Sequence, residues 1–233
     1  MKQKNNIISY KYLFHRDENK TKKFVVNLDA KTLDLLNERP QNPPGWTKLN
    51  FYKCSVCPLS GNKFEYCPNA VSISELVDFF SNFFSTEKVK IDIITKERNY
   101  SKATTVDKGI SSLMGIFNVT AGCPILSKLK PMVKFHLPFA NLEETLYRVV
   151  SMYLVRQYFA YQKKGEADWE LNGLKEEYNR IHIVNQEFCQ RLSKVGSKDA
   201  NLNALIKLDT FANYINVSLV RNKLSKIEWL FEI

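Results

Sequence analysis

The chain has 233 residues, of which 44% are hydrophobic, so it can bury a sizeable core and is not globally disordered. No apolar run approaches the roughly 20 residues that span a bilayer, and the N-terminus lacks the apolar segment of a signal peptide, so we expect a cytoplasmic protein with no membrane association. The net charge of +10 invites a nucleic-acid interpretation, but the lysines are spread along the chain, and a solvated basic surface is the simpler explanation.

The first predicted elements are two β-strands that pair as a hairpin. Residues 7–14 and 23–28 are rich in β-branched and aromatic side chains and are joined by a polar connector. A short turn or helix follows as far as Leu36, and the sequence R-P-Q-N-P-P-G at residues 39–45 predicts a surface loop. Residues 46–52 are predicted to form a further strand that leads into a cysteine-rich loop.

The next segment alternates between helical and extended patterns. Ser72 and Glu75 have the spacing of a capping box, which predicts a helix that starts at Ser72. Residues 89–95 and 97–103 favour one long strand or two strands. A second helix is expected to start after Thr104 or Thr105 and to end at Gly122.

The remainder of the chain is predicted to be helical. The expected helices cover residues 124–135 with a break at Pro131, residues 141–165 after an Asn141–Glu144 cap, residues 168–196, and two shorter segments that end the chain. Strands followed by helices predict an α+β fold, with a small antiparallel sheet and a cysteine-rich metal-binding loop before a helical C-terminal half. We assign residues 1–122 to the β-containing half with two helices and 123–233 to the helical half, within one integrated domain.

Four cysteines form the main candidate site. Cys54, Cys57 and Cys67 have C-x2-C-x9-C spacing, and Cys123 follows in a similar Cys-Pro setting; we call these residues the four-cysteine set. Four thiolates satisfy tetrahedral zinc, so zinc is the leading cofactor, with His136 as a substitute ligand. An iron–sulfur cluster is the alternative, because three of the four cysteines precede proline. In a third interpretation the cysteines are free thiols and Cys123 is a small core residue.

A second candidate site is a pocket for an anion or other ligand. Glu144 and Arg148 have the i, i+4 spacing of an ion pair on a helix, and His136 and Tyr147 are close in sequence. The same residues can equally have a purely structural role. None of the nucleotide-binding, zinc-protease or serine-hydrolase motifs occurs in the sequence, which weighs against an enzyme and leaves the catalytic residues unknown.

Six stretches carry a resemblance to a known family: C-S-V-C-P-L, Y-C-P-N-A, T-A-G-C-P-I, K-L-K-P-M-V-K-F-H-L-P-F, E-E-T-L-Y-R-V-V-S-M-Y-L and D-A-N-L-N-A-L. In these stretches the chain resembles an uncharacterised bacterial family of cytosolic proteins, a domain of unknown function. The resemblance covers nearly the whole chain and implies a single evolutionary unit from a bacterium. It transfers no catalytic residue to this sequence.

These observations lead to three functional hypotheses. The first is a non-enzymatic protein, stabilised by zinc, that binds a protein partner or acts in regulation. The second is an iron–sulfur protein that acts in redox chemistry or sensing. The third is a nucleic-acid-binding protein, which only the net charge of +10 supports.

Overall fold

A computed structural model describes residues 6–17, 20–196, 198–221 and 223–231 of the chain. Its N-terminal part is a four-stranded antiparallel sheet with the order β2-β1-β3-β4. The strands are β1 Ile7–Asp17, β2 Lys20–Asp29, β3 Lys88–Ile94 and β4 Asn99–Thr105. The predicted hairpin is confirmed as β1 and β2, and the two extended segments after it form two separate strands.

One face of this sheet is covered by a helix. Alternate residues of the two central strands are buried, because successive side chains of a strand point to opposite faces. The helix α3 Val106–Thr120 packs on that face, and the approach is close: a β-carbon at Gly109 would lie 2.0 Å from the Ile91 side chain. The glycine therefore allows the helix to contact the sheet.

Helices form most of the C-terminal half, and two short helices lie between β2 and β3. The helices are α1 Pro68–Ser72, α2 Ser74–Phe79, α3, α4 Lys130–Lys134, α5 Leu142–Lys164, α6 Asn172–Ser193 and α7 Ala200–Val220. α7 packs between α3 and α6, which joins the helical half to the sheet. The predicted α+β fold is confirmed. No helix in the described ranges combines the length and the apolar character that crossing a membrane requires.

Two predicted elements before α3 are wrong. Residues 46–52 form two short 3-10 turns instead of a strand, because carbonyls in this segment accept hydrogen bonds from the side chain of Arg191. The predicted capping box at Ser72 is absent as well. The chain becomes helical four residues earlier, at Pro68, and the Ser72 hydroxyl donates to the carbonyl of Asn69.

The helix ends in the C-terminal half follow the sequence more closely. Asn141 and Glu144 form the predicted capping box, with each side chain bonded to the backbone N–H of the other at 2.8 and 2.7 Å. Gly165 ends α5 with a φ of +75°. Pro131 lies in the first turn of α4, after a 3-10 turn, so the predicted break there is confirmed.

The last part of the chain differs from the prediction of two short helices. α7 is continuous over Ala200–Val220, and only 3-10 turns follow, at Lys223–Lys226 and Glu228–Phe231. The division of the chain at residue 122 stays a prediction.

Candidate metal centre and internal cavity

The structure brings the four-cysteine set together around one small cavity. All four residues line this cavity, whose volume is about 20 Å³, and all four are partly buried. Cys123 reaches it because it follows the end of α3, while the other three belong to the loop that ends at α1. Residues far apart in the sequence thus line one cavity between the end of α3 and the loop that precedes α1.

Two of these cysteines have the same local backbone. Each is followed by proline, which has no N–H, and the backbone N–H groups two and three residues further on act to lower the pKa of the thiol. For Cys67 these groups belong to Asn69 and Ala70; for Cys123 they belong to Ile125 and Leu126. Backbone N–H groups near a sulfur atom stabilise a thiolate relative to a thiol.

Burial opposes ionisation of the same thiols. It raises the pKa of Cys54 to about 12, with further contributions from Cys67 and from the carboxylate of Glu187. Burial also raises the pKa of Cys67 and of Cys123, although their backbone donors act in the opposite direction. A neighbouring cation reverses this balance, because it favours the thiolate form.

A buried guanidinium provides one such cation. Arg191 on α6 is 1% exposed and lines the cysteine cavity. It donates to the carbonyls of Trp46, Lys48 and Tyr52, at 2.6 Å for Trp46 and 2.8 Å for Lys48. Among the described residues it has no carboxylate partner, and its Nε atom is buried without an acceptor. Its positive charge lowers the pKa of Cys67.

The sulfur atoms are not pre-arranged for coordination. In the described part of the chain, no three His, Cys, Asp or Glu side chains form a group that could hold a metal ion. The cavity therefore supplies the donors and the local charge, and binding an ion requires the thiols to turn toward one centre.

The second predicted site is brought together only in part. His136 and Arg148 both line a separate cavity of about 560 Å³, which we call the internal cavity, and neither lines the cysteine cavity. Tyr147 lies outside the lining, 43% exposed, with its ring stacked on that of Phe231. Glu144 is also outside the lining, and its carboxylate caps α5. In the described part of the chain, it makes no ion pair with Arg148.

Hydrogen bonds hold His136 and Arg148 in place. The hydroxyl of Tyr12 lies 2.7 Å from Nε2 of His136, and burial together with Arg148 lowers the pKa of His136 to about 3. The imidazole is therefore neutral at neutral pH. Nη2 of Arg148 donates to the carbonyls of Met132 at 2.8 Å and Phe135 at 2.9 Å, which fixes the guanidinium against the turn that follows α4.

Several residues of both sites are not predicted from the sequence. Arg191 falls on the apolar face of α6, in register with Ile181, Val184 and Phe188, and a charged residue on such a face is a signal that sequence reasoning can use. Tyr178 and Asn185 on the same helix line the internal cavity, but their spacing on α6 is also that of ordinary core residues.

A comparison with protein families gives a match. The family model described as "Domain of unknown function (DUF6901)" matches residues 8–232, which is nearly the whole chain. No curated protein and no solved structure matches the chain.

Proposed function

We propose that this chain, which belongs to the DUF6901 family, is a zinc-stabilised binding or regulatory protein in which the four-cysteine set holds one metal ion. The observation that carries the proposal is that all four predicted ligands, from two distant parts of the sequence, line the same cavity. Four cysteines around one cavity supply the number of donors that tetrahedral zinc requires.

The size of the cavity favours a single ion. Its volume of about 20 Å³ is close to the space that one water molecule needs. A mononuclear ion with four thiolates occupies such a space, whereas an iron–sulfur cluster adds several iron and sulfide atoms. Among single ions, tetrahedral four-sulfur coordination is typical of zinc.

The charges around the cavity support the same proposal. Four thiolates and one Zn²⁺ carry a net charge of −2, and Arg191 supplies a buried positive charge beside them. The backbone N–H groups that act to lower the pKa of Cys67 and Cys123 would serve as hydrogen-bond donors to the bound thiolates. Without the negatively charged metal–thiolate group, only carbonyl groups would compensate the buried charge of the guanidinium.

Such an ion would act as a cross-link. It would tie the loop of residues 54–67 to Cys123 at the end of α3, and four protein ligands leave no open coordination position for a substrate. The metal would therefore stabilise the fold, and the function would lie in binding elsewhere on the molecule. A reducing cytoplasm would keep the thiols available for the metal.

Elemental analysis with a visible spectrum, on protein purified without oxygen, tests this proposal. We expect about one zinc per chain. Cys67→Ser and Cys123→Ser should lose the metal and melt at lower temperature, whereas Cys189→Ser, at a half-buried cysteine outside the cavity, should keep it. Iron with sulfide would replace the proposal by the iron–sulfur alternative, and metal-free protein with unchanged melting in both variants would end it. Nucleic-acid binding stays a separate prediction, for which affinity should fall steeply with salt.

A further inference from the structure

The internal cavity is large enough for a small molecule. Its volume of about 560 Å³ falls within the roughly 300–1,000 Å³ of ligand pockets. It lies between α3, the segment from Leu126 to Leu142, α6 and α7, and most of its wall consists of apolar side chains. An occupant with an apolar body would fit this wall.

The cavity also contains a fixed cation with unused donors. A guanidinium has five N–H groups, and the two bonds of Arg148 to backbone carbonyls use only Nη2. Among the described residues, Nη1 and Nε of Arg148 have no hydrogen-bond partner, and no carboxylate pairs with this side chain. A planar guanidinium held at one edge and free at the other is suited to binding a carboxylate through two parallel bonds.

Two polar side chains on α6 also line the cavity without a hydrogen-bond partner in the described ranges. Tyr178 and Asn185 are 3% and 5% exposed and line the cavity. The hydroxyl of Tyr178 and the amide of Asn185 make no hydrogen bond within the described part of the chain. Because both residues line the cavity, a bound molecule can form hydrogen bonds with the hydroxyl of Tyr178 and the amide of Asn185.

The charge of the lining selects the sign of that partner. Arg148, Lys102, Lys108 and Lys207 contribute positive charge, and no Asp or Glu belongs to the lining that the structure describes. Lys207 is paired with Asp107 at 3.1 Å, and Lys102 and Lys108 are exposed. Arg148 is therefore the half-buried cation of the lining that has no carboxylate partner among the described residues. Since His136 is neutral, it adds no charge.

We propose that the internal cavity binds an amphiphilic carboxylate, with its apolar body between α3 and α7 and its carboxylate on Arg148, within reach of Tyr178. This ligand gives chemical content to the binding role proposed above. The site shares no residue with the lining of the cysteine cavity, so the two proposals can fail separately.

Isothermal titration with three probes that share one chain length tests the proposal: dodecanoate, dodecan-1-ol and dodecyltrimethylammonium. Dodecanoate should bind one molecule per chain, at least about tenfold more tightly than the alcohol, because only the carboxylate can pair with the guanidinium. The ammonium probe should bind more weakly than the alcohol. Equal binding of all three would overturn the anion site, and binding of none would show that the cavity holds only water.

Two variants and a control locate the bound molecule. Gly115→Leu extends a side chain from α3 into the cavity, where a β-carbon at this position meets only Leu208, at 3.6 Å, and it should abolish dodecanoate binding. Arg148→Met should weaken dodecanoate by about tenfold or more and leave dodecan-1-ol unchanged. Arg180→Met, at an exposed position on α6, should change neither. Full dodecanoate affinity in a folded Gly115→Leu variant would refute the site, and zinc content measured on each variant shows whether the metal centre is intact.

Discussion

Replacing Arg191 by methionine should be among the most destabilising single changes in this protein. The guanidinium is 1% exposed and donates to three well-placed backbone carbonyls, those of Trp46, Lys48 and Tyr52. Hydrogen bonds from a charged donor contribute about 1.5–3 kcal/mol each, and the carbonyls would stay buried without a partner. Part of this loss of stability is offset, because a buried methionine carries no charge that has to be removed from water. We therefore expect Arg191→Met to lower the free energy of unfolding by about 3–5 kcal/mol.

Urea unfolding followed by circular dichroism measures this change. Arg180→Met on the same helix is the matched control, because Arg180 is exposed, and it should shift the free energy of unfolding by no more than about 0.5 kcal/mol. Arg191→Lys should fall between the two, since an ammonium keeps the charge but lacks the planar fork that reaches several carbonyls. A loss below about 1 kcal/mol for Arg191→Met would refute the reasoning, because it would mean that the carbonyls find other donors.

Two further predictions concern stability. Gly109→Ala should destabilise by about 1–3 kcal/mol, since the new β-carbon would lie 2.0 Å from Ile91, whereas Gly115→Ala on the same helix should stabilise by about 0.5–1 kcal/mol; the opposite signs are checked by chemical denaturation. The hydroxyl and N–H of Ser85 hold the pKa of Asp199 below its usual value, so its contribution to stability is present above about pH 4 and is lost as the pH falls through the lower pKa of the folded state. Asp199→Asn should flatten the dependence of melting temperature on pH in this acidic range, and an unchanged slope would contradict the assignment.

The elements that the sequence predicts correctly are those whose signals are local. The capping box of Asn141 and Glu144 needs only residues three apart, and nothing nearby competes with it. Ser72 and Glu75 have equivalent spacing, but Pro68 lies just upstream and starts the helix first, so the same pattern fails. The spacing alone does not distinguish the two cases.

The mispredicted strand at residues 46–52 depends on distant contacts. Residues 46–52 look like a strand, yet their carbonyls are bound by Arg191, which is more than a hundred residues away. The four-cysteine set was predicted because cysteine spacing is a specific signal, and the structure does place all four around one cavity. Its metal stays a prediction.

The internal cavity shows a different limit of sequence reasoning. Sequence proximity grouped Tyr147 with Arg148, but adjacent residues on a helix do not face the same way, and only Arg148 lines the cavity. The polar groups that complete the site, on Tyr178 and Asn185, come from another helix. Which side chains of two helices meet depends on how the helices pack, and no short motif encodes that arrangement.

The two proposed sites share supporting elements, and this leads to a last prediction. The wall segment of the cavity that follows Cys123 is held near its C-terminal end by Arg148 and by the hydroxyl of Tyr10, which donates to the carbonyl of Val133 at 2.6 Å. At its N-terminal end the proposed metal would be the anchor. Removing zinc with a chelator should therefore weaken dodecanoate binding without abolishing it, because one anchor is lost and the other remains. Zinc-free Cys123→Ser protein should show the same reduced affinity, and chelator should not weaken its binding further. If zinc-free and zinc-loaded protein bound dodecanoate equally, the contacts of Arg148 and Tyr10 would be sufficient to hold the wall, and the metal would stabilise only the loop that contains the other three cysteines.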